Sequence, residues 1–97
     1  MHSYRELNVW KKSIKLAVDI YKLTSQFPPS ERYELTSQMR RAAISISSNI
    51  AEDAGRNTNN EFAHFLGISN GSSFEMVTQL ILSAELGLST YDDINPI

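Results

Sequence analysis

Apolar residues in this chain recur at intervals of three and four along almost its whole length, and Pro28-Pro29 is the one firm internal break. Such spacing puts apolar side chains on one face of a helix, whereas a half-buried strand needs alternation at two, which no segment sustains. Proline lacks the amide hydrogen and pushes the residue before it out of helical geometry, so the pair separates a first helix, about 5–26, from a second, about 31–54. Ser30 is placed to cap the second helix, with Glu31 and Glu34 in a first turn where the helix dipole favours carboxylates. In DAGRNTNN, Gly55 suits a helix end and the Asn-rich tract a turn. Thr58 and Glu61 then make a capping box that opens a third helix, about 59–87. The residues STYDDINPI carry start signals for a further helix but reach Pro96 before one can form, leaving 88–97 as a tail. The expectation is an all-α chain folded as one domain over residues 1–97.

A chain of 97 residues buries only roughly 60–65% of its unfolded surface, so its core is modest and self-association would help it. The absence of cysteine excludes a disulfide framework, a thiolate nucleophile and a cysteine zinc site. No apolar run is long enough to span a membrane, and MHSYRELNVWKK lacks a signal-peptide core; a soluble cytoplasmic protein is expected. The formal net charge of −2 conceals an asymmetry. All nine Lys and Arg lie in residues 1–56 beside six acids, a balance of +3, while residues 57–97 hold five acids and no base, a balance of −5. A polyanion would meet the N-terminal half; the plainer reading is solvation and charge-complementary packing between the halves.

On a helical wheel the first helix has two apolar stripes. Leu7, Trp10, Ile14, Ala17, Val18 and Tyr21 form one, and Val9, Leu16, Ile20, Leu23 and Phe27 the other. Lys11, Lys15 and Lys22 fall together between them, within roughly 40°. One stripe can face the chain's own helices and the other a neighbouring chain, since an apolar stripe left in water usually marks an interface; Val9, Trp10, Leu16 and Ile20 are therefore candidate interface residues. In the second helix Leu35, Met39, Ala42, Ile46 and Ile50 keep core spacing. Beside them runs a polar seam of Gln38, Arg41, Ser45, Asn49 and Glu52, which must find partners because a buried unsatisfied polar group costs roughly 1–3 kcal/mol. The seam reads first as a structural network at a helix or subunit contact and second as a ligand site. In the third helix Phe62, Phe65, Leu66, Ser69, Ser73, Met76, Val77, Leu80 and Ala84 carry one stripe straight through GISNGSS, which predicts an unbroken helix there. Gly67 and Gly71 would admit a close neighbouring backbone, such as the small surface AAISISSNIA.

Little in the chain points to catalysis. GISNGSS lacks the preceding strand and the Gly-Lys-Ser/Thr ending of a phosphate loop. Glu61 and His64 match Glu-x-x-His spacing, but a di-metal bundle needs two such motifs and two further glutamates, and His2 is the one other histidine. No enzyme activity, metal or cofactor is expected. For nucleic acid, Arg5, Lys11, Lys12, Lys15 and Lys22 form a basic surface on the first helix, joined by Arg40, Arg41 and Arg56, suited to salt-dependent phosphate contact. The sequence pI of about 5.6 is far below the values above roughly 9 of typical nucleic-acid domains.

The pieces L-x-V-W at Leu7 to Trp10, FP-x-x-E at Phe27 to Glu31, LTSQ-x-RRA at Leu35 to Ala42, SI-x-x-NIAE at Ser45 to Glu52 and EF-x-x-FL-x-I-x-x-GS at Glu61 to Ser72 are found here together. In this combination, over about residues 4–88, the chain resembles the four-helix-bundle family of proteins encoded within intervening sequences of bacterial 23S ribosomal RNA. The resemblance implies an antiparallel up-and-down helical bundle that assembles as a homo-oligomeric ring, commonly a pentamer. A relative, the accessory protein of diversity-generating retroelements, binds nucleic acid and a reverse transcriptase through a basic surface. Asp53 stands where the family usually has glycine, and the family's fourth helix would begin near Ile97, so three long helices are expected with the fourth truncated or absent. The functional expectation is a non-enzymatic, self-associating bundle with an accessory role on RNA or a ribonucleoprotein, without membrane or small-molecule substrate. Its rival is a protein-interaction scaffold that binds no nucleic acid.

Overall fold

The computed structural model describes residues 7–54 and 73–97, and within these every regular element is helical. Helix α1 spans Asn8–Thr24, a 3-10 turn covers Pro29–Glu31, α2 spans Leu35–Ala54, α3 is described over 73–85, and one turn, α4, covers Tyr91–Ile94. The expected capping box at Thr58, the run through GISNGSS and the pair Glu61 and His64 lie outside the described residues.

Helix α1 ends two residues before the expected boundary. The Thr24 hydroxyl donates to the Ile20 carbonyl at 2.7 Å, and the chain then tightens: the Gln26 and Phe27 amides donate to the carbonyls of Leu23 (3.2 Å) and Thr24 (3.0 Å). Such three-residue turns bring the chain out of α geometry ahead of Pro28. Helix α2 also starts later than residue 31. The amides of Glu31, Arg32 and Glu34 donate to the carbonyls of Pro28, Pro29 and Glu31 at 2.9–3.1 Å, and the first α-type bond of the segment runs from the Gln38 amide to the Glu34 carbonyl. Two consecutive prolines therefore produce a tight turn before the helix, and Ser30 provides no cap.

The core joins α1, α2, α3 and α4. Ile20, Leu23 and Phe27 meet Leu35, Met39, Ala42 and Ala43, with Met76 and Leu80 from α3 and Ile94 from α4. All five residues placed in the core stripe of α2 are buried. In α3 the stripe is rotated from the expected one: Met76 and Leu80 are buried together with Gln79 and Ser83, while Val77 is 53% exposed. Val77 lies about 100° around the helix from Met76, outside the face that this core accepts.

Two of the buried serines are satisfied by their own helix. The Ser13 hydroxyl donates to the Trp10 carbonyl at 2.6 Å, and that of Ser83 to the Leu80 carbonyl at 2.7 Å. The end of α3 is closed by Gly87 at φ +78°. The Leu88 amide reaches back to the Ser83 carbonyl at 2.9 Å and the Gly87 amide to the Ala84 carbonyl at 3.0 Å, the paired bonds of a glycine-terminated helix. A side chain at that φ would be strained. Thr90 and Asp93 then cap α4 reciprocally, at 3.2 Å for the Thr90 amide to the Asp93 carboxylate and 3.1 Å for the return bond. Residues 88–97, expected as a tail, thus include a helix whose Ile94 is buried. No described helix is long and apolar enough to cross a membrane.

Candidate interaction surfaces

Helix α1 presents its two apolar stripes to different surroundings. Ile20 has no exposed surface and Leu23 very little, and Leu16 packs against the same core. Ile20 is thus occupied by this chain's own helices. On the other stripe Ile14 is 38%, Val18 46% and Tyr21 42% exposed and Trp10 is half-buried, while Ala17 packs against this chain's own core. Val9 is also largely exposed, although its spacing groups it with the core stripe. Each of these side chains is more than half buried already, so the exposed remainder forfeits only about 1 kcal/mol relative to full burial. This is the apolar face of α1 that a neighbour could cover.

The basic residues separate into groups. Lys11, Lys12 and Lys22 are exposed. Lys15 pairs with Asp19 one turn on at 3.0 Å, an exposed bridge of little energetic weight. Lys15 and Lys22 line a groove together with Asp19 and, from α4, Asp93, so two carboxylates stand among the lysines. Arg40 belongs elsewhere. Its Nε–H donates to the Thr24 hydroxyl at 2.8 Å, an Nη–H reaches the Tyr21 carbonyl at 3.4 Å, and its guanidinium lies 4.5 Å from the centroid of the Tyr21 ring. It thereby ties α2 to the last turn of α1, where helix carbonyls favour a cation. Arg5 and Arg56 lie outside the described residues.

The seam on α2 sits at the margin of the core. Gln38, Arg41 and Glu52 are exposed while Ser45 and Asn49 are half-buried. The Asn49 amide donates to the Ser45 hydroxyl at 3.3 Å. Gln38, Arg41 and Ser45 share a groove with Glu75 of α3. Gln79, 5% exposed, donates through Nε2 to Glu75 at 3.3 Å. Its Oε1, like the buried Ser47 hydroxyl, has no hydrogen-bond partner among the described residues.

Sequence reasoning did not find Thr24, Tyr21 and Arg40 as a unit. A threonine in a last helical turn was the available signal, but its partner lies sixteen residues on and only the turn at Pro28-Pro29 brings it near. Nor did it find Gln79 and Ser83 in the core, because the expected stripe of this helix ran through Val77 and Ala84 instead.

The family model described as 23S rRNA-intervening sequence protein matches residues 5–97. The chain belongs to that family. No curated protein matches the chain. Membership of the 23S rRNA-intervening sequence proteins joins its all-helical fold to a set of chains described by where they are encoded. The chemistry of this member must therefore be argued from its own surfaces.

Proposed function

We propose that this 23S rRNA-intervening sequence protein is a non-enzymatic, cytoplasmic helical bundle, with its long helices packed up and down in antiparallel order. It associates with further copies of itself through the outer stripe of α1 and has an accessory role on RNA or a ribonucleoprotein through the basic strip of that helix. The antiparallel order is supported by Arg40, near the start of α2, reaching Thr24 at the end of α1. The observation that carries the reading is the exposure of Ile14, Val18 and Tyr21 on a helix whose opposite stripe is already buried at Ile20 and Leu23. An apolar stripe of that kind on a small domain marks a contact with another chain. Copies arranged around an axis would multiply a weak basic strip into a multivalent one.

Light-scattering mass tests the first part: the wild-type chain should exceed the mass of one copy, and Val18→Glu should lower it with helicity retained. A wild-type monomer at high concentration would overturn it. The second part predicts RNA retention at low salt that weakens as salt rises and is lost when Lys11, Lys15 and Lys22 are replaced by glutamate. Asp19 and Asp93 beside the lysines favour the second reading, a protein-interaction scaffold without nucleic acid. An oligomer that retains no RNA even at low salt selects that reading.

A further inference from the structure

A cleft at the α1–α2 corner holds two arginines, Arg32 and Arg40, together with Thr36; Phe27 and the two prolines form part of its walls, and among the described residues no carboxylate lines it. We infer that this cleft binds a phosphate group, gripped by the two guanidiniums and the Thr36 hydroxyl. Arg40 is half-buried, and what it touches among the described residues is uncharged: the Thr24 hydroxyl, the Tyr21 carbonyl and the Tyr21 ring. The positive charge of a partly desolvated guanidinium without a counter-ion attracts an anion. The contacts to Thr24 and Tyr21 also fix its plane, so little freedom is lost when it engages one. Thr36 is 8% exposed, and its hydroxyl has no hydrogen-bond partner among the described residues. It belongs to the first turn of the twenty-residue α2, where the peptide dipoles favour negative charge. Arg32 is exposed at the rim and adds a second fork. Two positive charges without an ion-pair partner among the described residues, and a hydroxyl donor, suit a phosphate with several acceptor oxygens better than a singly charged carboxylate.

The cleft is independent of the lysine strip. Thr24 lies roughly 160° around α1 from Lys22, so the two surfaces face apart and can fail separately. The phosphate could belong to an RNA backbone or to a free monoester, and the chemistry of recognition is the same.

The test is a nuclear magnetic resonance titration of the full chain with inorganic phosphate, with ionic strength held constant by sodium chloride. Saturable shifts are expected at the Arg40 Nε–H and the Thr36 amide. Arg32→Gln changes an exposed residue and spares the fold; it should weaken binding by about three- to five-fold, the worth of one solvent-exposed charge contact. Thr36→Val, of matching shape, should weaken it as well. Absence of saturable shifts, equal shifts with acetate, or undiminished binding in Arg32→Gln would each overturn the inference. Parallel titrations with a nucleoside monophosphate and a short unstructured RNA identify the source, monoester or backbone diester, by which saturates the same resonances at lower concentration. In the variant with Lys11, Lys15 and Lys22 replaced by glutamate, phosphate should still fill the cleft; loss of the shifts there would overturn its independence from the strip.

Discussion

Around Met39 the chain is held by volume, and around Ile94 by directional bonds. Met39 is fully enclosed, with Ile20, Leu23 and Phe27 on one side of the core and Met76 and Leu80 completing it. Polar contacts between α1 and α2 lie at the edge of that region, from Arg40 to the Thr24 hydroxyl and the Tyr21 carbonyl. Between Ser83 and Asn95, by contrast, the backbone reverses through the bonds around Gly87. It is further held by a hydroxyl pair between Ser83 and Ser89 at 2.8 Å and the reciprocal cap of Thr90 and Asp93, with Ile94 as its buried anchor. Apolar packing tolerates small displacements and spreads its energy over many contacts. A cap or a glycine turn works at one geometry and fails locally. The first region should therefore unfold with the whole molecule, and the second should be able to open alone.

Met39→Ala should have the largest effect, a loss of about 2–5 kcal/mol by cavity formation, seen as a lower urea midpoint. Amide exchange should accelerate throughout α1 and α2. Ile94→Ala removes a similar side chain from a one-turn helix that can relax around the gap. Its cost should fall to the low end of that range, about 2 kcal/mol, with faster exchange confined to residues 86–97. If Ile94→Ala accelerates exchange in α1 as strongly as Met39→Ala does, the two regions form one cooperative unit and the contrast fails.

The same contrast explains what the sequence made legible. Leu35, Met39, Ala42, Ile46 and Ile50 could be placed because a core selects apolar residues at helical spacing. Residues 88–97 were read as a tail because one helical turn offers no periodicity to detect. The stretch STYDDINPI carries start signals, yet Pro96 was expected to stop the helix first. A single turn suffices because the cap satisfies two amides and Ile94 is buried in the shared core. The late start of α2 was hidden for a related reason, since Pro28-Pro29 signals a break without specifying how many tight turns follow it. On the candidate surfaces, the wheel separated the two stripes of α1 but could not say which would be covered. Position alone also placed Arg40 with Arg41, although only three-dimensional contact shows it held against α1.

Gly87→Ala sharpens the contrast at one atom. A β-carbon there would meet no atom of the described residues within 4 Å, so the cost is the backbone conformation, about 1 kcal/mol for leaving or straining a positive φ. The measured loss should appear as opening of the Leu88 and Ser89 amides with α2 unchanged. A neutral substitution would mean that the turn is not held at this geometry.

Tyr91, on the first turn of α4, carries the smallest expected effect. Partial burial, and after it the charge and hydrogen bonding of the Glu85 carboxylate, raise its hydroxyl above the ordinary tyrosine value. The folded chain therefore keeps this proton at a pH where the unfolded chain has lost it. The associated stabilisation is complete below about pH 10, the unfolded value, and is lost as pH rises through the higher folded value. Thermal melts from pH 9 to 11 should show the wild type falling slightly more steeply than Tyr91→Phe. Glu85→Gln should reduce the difference by removing the neighbouring charge while leaving the burial. Because the contact joins α4 to the end of α3, tyrosinate formation should also speed exchange in 88–97 before it affects α1 or α2. Identical slopes in the wild type and Tyr91→Phe would remove Tyr91 from the bonds that hold this region.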